Sequence, residues 1–109
     1  MLTIKIENEL NETALGYLYK DIMTNWSNNV DHSVVLTEVI HKDDKLNRFE
    51  SKIIIDKLKS VENKIIMRCY RHDERGERKE IDNVDDFKYT YMKMLNWIKN
   101  ATEKDLTPC

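Results

Sequence analysis

Phe49-Glu50-Ser51-Lys52-Ile53-Ile54-Ile55-Asp56-Lys57-Leu58 is the stretch on which the fold turns. At its centre stand three consecutive isoleucines. Their β-branched side chains are stiff about χ1 and suit a pleated sheet better than a helix. Before the run lies the polar connection Lys42-Asp43-Asp44-Lys45-Leu46-Asn47, and after it a short turn at residues 60–63. The segment therefore reads as a strand with Ile53 and Ile55 on one face and Lys52, Ile54, Asp56 and Leu58 on the other.

Its neighbours in sequence read the same way. Residues 33–41 are rich in β-branched side chains, and 64–72 put Ile65, Met67 and Cys69 on one face and Ile66, Arg68, Tyr70 and His72 on the other. A turn at 73–77 around Gly76 and a short, charged edge strand at 78–81 follow. Connections this short favour antiparallel pairing as a meander.

Helical periodicity flanks the strands. Leu2, Ile4 and Ile6 alternate with Thr3 and Lys5, a further short strand. Asn8 or Asn11 then caps a helix whose apolar face carries Ala14, Leu15, Leu18, Ile22 and Trp26 and which stops in Ser27-Asn28-Asn29. At the other end Asn83 is an N-cap, Asp85 and Asp86 occupy the first turn and Lys99 the last. Val84, Phe87, Tyr91, Met94, Leu95 and Ile98 form one stripe. The order β-α-β-β-β-β-α predicts an α+β domain: a four- or five-stranded, mostly antiparallel sheet with two helices packed on one face. Residues 1–109 make a single domain, and 102–109, polar and containing Pro108, make a frayed tail.

Composition narrows the function. Charged residues are 35% of the chain and hydrophobic ones 40%, yet the apolar positions are periodic, which excludes a disordered chain. The net charge of -2 gives no whole-molecule attraction to nucleic acid or anionic membrane. Two glycines leave no room for a glycine-rich phosphate loop, and no apolar run is long enough to span a membrane. The alternating N-terminus is not a signal peptide, so a cytoplasmic location is expected. There the two cysteines stay reduced. Lys, Ile and Asn, whose codons are A/T-rich, supply 13, 11 and 10 residues.

No catalytic set can be assembled. Cys69 and His72 have Cys-x-x-His spacing, but a structural zinc needs four ligands, and His32, His41 and Cys109 form no second spaced pair. Cys69 lies mid-strand on the face expected to be buried, where a thiol is inert. No metal, cofactor or catalytic residue is therefore expected. The αβββα part of the order is similar in outline to a double-stranded RNA-binding domain, but those domains grip phosphates with a lysine-rich start to the second helix. Here that start reads Asn83-Val84-Asp85-Asp86, which repels them. No family is assigned.

Two surfaces remain. On the last helix, Tyr89, Lys93 and Trp97 recur at four-residue spacing opposite the apolar stripe, flanked by Asn96. Exposed aromatics of this kind mark protein contacts. The second surface is the uncovered sheet face, where Lys52, Arg68, Tyr70 and His72 combine basic and aromatic character, one way to bind single-stranded RNA. Residues 41–80 hold 12 basic and 9 acidic side chains, whereas residues 1–40 hold 2 and 6. The expectation is a small, non-catalytic protein-binding module that contacts another protein or its own copy through Tyr89, Lys93, Trp97 and Asn96. It has the character of a phage or mobile-element accessory protein inhibiting a host enzyme or defence system. The alternative is an RNA-binding module using the sheet face.

Overall fold

The isoleucine run occupies the middle strand of a five-stranded sheet. The computed structural model describes residues 2–5, 9–27, 29–42, 44–60, 64–72 and 74–100. Its elements are β1 (Leu2–Lys5), α1 (Glu12–Asn25), β2 (His32–Lys42), β3 (Arg48–Lys57), β4 (Ile65–Arg71), β5 (Glu74–Ile81) and α2 (Val84–Lys99). The strands lie side by side in chain order. β1 runs parallel to β2, and every other pair is antiparallel. This is the expected α+β architecture, with the expected order of elements. The expected frayed tail falls outside the described residues, as does Asn8. Asn11 caps α1, its side chain accepting from the Ala14 N–H at 2.8 Å.

Register sorts the sheet into two faces. Ile55 pairs with Val34 and Met67, and Ile53 with Thr37 and Cys69. On this face the helices bring Leu15, Ile22, Phe87, Tyr91, Met94, Leu95 and Ile98, and all of these are buried together with Leu36, Ile65 and Ile81. Tyr91 is fully buried. Its hydroxyl meets the Thr37 hydroxyl at 3.0 Å and accepts from the Leu10 N–H at 3.0 Å, tying α2 to β2 and to the entry of α1. The helices touch where Tyr19 meets Phe87, with ring centroids 5.6 Å apart.

β5 is longer than expected. It begins at Glu74 rather than at residue 78, because the chain reverses at once after Arg71: His72 takes a positive φ of 59° and Arg71 pairs directly with Glu74. Gly76 therefore lies within the strand, not in the turn. Opposite it the register shifts: Arg68 pairs with Arg78 but Tyr70 with Arg75, so Cys69 alone faces both Gly76 and Glu77. α1 also ends earlier than the 27–29 cluster, with Trp26 as its C-cap. Trp26 is half-buried rather than core and stacks on His32 at 5.0 Å.

The end of α1 is satisfied from the sheet. α1 has no basic residue in its last turn. Lys57 is only 2% exposed, and its ammonium donates to the carbonyls of Ile22 (3.3 Å) and Trp26 (3.0 Å). A buried cation thus meets the negative pole of the helix. Lys57→Met keeps the volume and removes both bonds. It should lower the unfolding free energy by about 1.5–3 kcal/mol, seen in urea titration as a lower midpoint with an unchanged slope.

Candidate functional site

α2 places its predicted site residues in two different environments. Tyr89 is 66% exposed, and Lys93 and Asn96 are also exposed. Lys93 reaches β5 and pairs with Glu77 at 3.4 Å. Trp97 does not join them, which corrects the expected outward-facing trio. It is half-buried and packs against the core. The reason lies in the width of the buried stripe. Thr90 is 1% exposed and extends the stripe toward β5, leaving Trp97 about 100° from its centre, on the flank rather than the back.

Gly76 makes the seat for that indole. A Cβ at Gly76 would stand 2.6 Å from Trp97 Cζ3 and 2.6 Å from Cys69 Sγ. Arg71 closes the other side. Its guanidinium lies 4.6 Å from the indole centroid and donates to the Trp97 carbonyl at 3.3 Å. The small cavity beside this seat, about 320 Å³, is lined by Cys69, Gly76, Glu77, Lys93, Met94 and Trp97 among others. Burial pushes the Cys69 thiol up from its ordinary value, and its Sγ donates to the Glu77 carbonyl at 3.8 Å.

On the other flank of α2 the surface is apolar and open. Met92 is 48% exposed. With Tyr89, Leu95, Leu10, Leu15 and Lys88 it lines a groove of about 450 Å³ where the first turn of α1 meets α2. The sequence reading passed over Met92 and Leu10. Met92 lies between the buried stripe and the outward face of α2, and Leu10 precedes the first residue of α1.

The uncovered sheet face gathers three of its four predicted residues. Lys52, Tyr70 and Arg75 stand directly opposite one another on β3, β4 and β5, and Arg68 stands opposite Arg78. Arg68 Nε donates to Asp56 Oδ2 at 2.7 Å and its Nη1 to the Tyr70 hydroxyl at 2.9 Å, while Ser33 Oγ donates to Asp56 Oδ1 at 3.0 Å. A polar relay thus crosses β2, β3 and β4 and ends on Tyr70. These bonds to Asp56 and Tyr70 outweigh the effect of burial and raise the Arg68 pKa.

His72 is not on this face, a second correction. The left-handed residue that reverses the chain turns its ring to the other side. There it packs edge-on against His41 and Phe49, with centroids 5.0 and 5.1 Å away, while its N–H donates to the Glu50 carbonyl at 2.9 Å. Among the described residues, no group of three or more His, Cys, Asp or Glu side chains is placed to hold a metal ion, and no helix is long and apolar enough to cross a membrane. Comparison of the chain with protein-family models, characterised proteins and solved structures gives no match.

Two measurements check this geometry. Gly76→Ala should destabilise by about 1–3 kcal/mol through overpacking. In a Trp26→Phe background it should also increase acrylamide quenching of Trp97 as the indole is displaced. The second concerns His41, whose ring bonds Ser51 Oγ at 3.1 Å. Burial, with the nearby Arg71 charge, holds its pKa below the ordinary 6.5. The unfolded chain therefore takes up this proton more readily, so stability should fall as pH drops below about 6.5, and the loss should continue to the lower folded value. His41→Gln should flatten that slope, and NMR of the His41 ring should give a midpoint below 6.5.

Proposed function

We propose that the protein is a non-catalytic binding domain that engages another protein, or its own copy, through the outer surface of α2. The observation that carries this reading is the pairing of exposed Tyr89 and Met92 with the adjoining groove. Large side chains beside a preformed apolar cleft present surface that a partner's side chain fills, and such anchors supply most of the energy of small interfaces. Lys93 and Asn96 form the polar border of this surface. Trp97 lies on the opposite flank of α2, against Gly76, and is a packing residue rather than an anchor.

Chemistry favours binding over catalysis. The Cys69 thiol is buried with a raised pKa, the opposite of what a nucleophile requires. Inhibition of a host enzyme or defence system, the role expected of a phage or mobile-element accessory protein, needs only such a surface.

Light scattering across a concentration series, then affinity capture, distinguishes self-association from a separate partner. Tyr89→Ala and Met92→Ala should each leave stability within about 1 kcal/mol of the parent. At least one should weaken the complex by about 2 kcal/mol or more. Unchanged binding in both variants would remove α2 as the contact.

A further inference from the structure

We infer that the uncovered face of the sheet binds single-stranded nucleic acid, with Tyr70 as a stacking platform and Lys52, Arg75 and Arg78 as its phosphate contacts. The inference is independent of the α2 surface and begins with the charges of β5. Every acid on that strand whose side chain reaches a cation is neutralised: Glu74 pairs with Arg71, Glu77 with Lys93 and Glu80 with Lys64. Lys79 is likewise held by Asp86 at 2.5 Å. Arg75 and Arg78 are exposed, and neither has an ion pair or side-chain hydrogen bond among the described residues. Lys52, half-buried, likewise has no ion pair or side-chain hydrogen bond among the described residues.

The bulge at Gly76 brings these cations together. In a regular strand, residues 75 and 78 would point to opposite faces. Because Gly76 and Glu77 stand together against Cys69 alone, Arg75 falls opposite Tyr70 and Arg78 opposite Arg68. Lys52 stands on the far side of Tyr70. The aromatic ring is therefore flanked by a cation on each neighbouring strand, on a molecule whose net charge is -2.

Tyr70 is also fixed in position. Arg68 holds its hydroxyl and sits 5.6 Å from its ring centroid, and Arg68 is itself held by Asp56. Arg68 is thus a positioning residue and not a phosphate contact. A fixed ring bordered by unpaired cations matches the two requirements of a single strand: a π-face for an unstacked base and positive charge for its backbone. A duplex keeps its bases stacked and has no use for the ring. An acidic peptide would use the cations but not the ring.

The test is fluorescence anisotropy of the full chain with labelled mixed-sequence RNA and DNA single strands about 12 nucleotides long. With three phosphate contacts, the logarithm of affinity should fall against the logarithm of salt with a slope of about -2, a loss of roughly 15- to 20-fold between about 50 and 200 mM. The double variant Arg75→Ala/Arg78→Ala should flatten the slope to about -0.7. Tyr70→Ala should weaken binding about 5- to 100-fold with the slope retained, and Tyr70→Phe should restore most of it. If Tyr70→Ala lowers the melting temperature, Tyr70→Leu replaces it at the same sheet position. Tyr89→Ala should bind the strands as the parent does. Absence of binding at low salt would overturn the inference. So would parental affinity in the arginine double variant, or equal affinity for a duplex or a glutamate-rich peptide.

Discussion

Both helices of this protein end over the sheet, and in each case a cation from the sheet meets the end. Lys57 on β3 donates to the last carbonyls of α1, and Arg71 on β4 donates to the Trp97 carbonyl near the end of α2. A helix leaves four carbonyls without intrahelical partners, and a helix packed on a core cannot give them all to water. The two cations stand at opposite ends of an antiparallel strand pair, so the two helices must point in opposite directions to use them. Helix direction, helix length and strand register are thereby coupled through two side chains. Lys57 is buried because the pole it satisfies is buried, and its long aliphatic stem crosses the core to reach it.

Gly76 couples the two faces of the sheet. As the extra residue of a bulge, it lets Arg75 and Arg78 share the open face. As a residue without a side chain, it lets Trp97 and Cys69 close over it on the helix side. Its φ is not positive, so the requirement is steric and not conformational. The seat of α2 thus depends on a missing Cβ, and the charge pattern of the opposite surface on the bulge at the same residue.

Much of the fold is legible in the sequence because it rests on short-range periodicity. The isoleucine run, the alternation in β4 and the apolar stripe of α2 each state which face is buried, and Asn11 and Asn83 mark the helix starts through capping that is local by nature. What escaped is what depends on two segments at once. Trp97 looks outward on a helical wheel because the wheel cannot show that Thr90 is buried or that a glycine stands across from it. His72 looks like a neighbour of Tyr70 until the left-handed turn re-aims it. Lys52, Arg68 and Tyr70 were found together because pairing of β3 with β4 is regular. Arg75 and Arg78 were not, because the bulge that unites them leaves no periodic mark.

The open face is hard to explain by stability alone. Arg78 lies directly opposite Arg68, and like charges in that position destabilise by about 0.2–1 kcal/mol. Asp56 relieves Arg68 but stands on β3, beyond reach of the repulsion's other partner. An acid at position 78 would have paired across the ladder, as Glu80 does with Lys64. The strand is therefore not short of carboxylates, and it uses them elsewhere. A relay of four side chains, Ser33, Asp56, Arg68 and Tyr70, orders a surface that carries no helix among the described residues. Ordering side chains at a surface opposes folding through lost rotamer freedom. A surface arranged in this way makes physical sense when the geometry it holds is used by something that binds there.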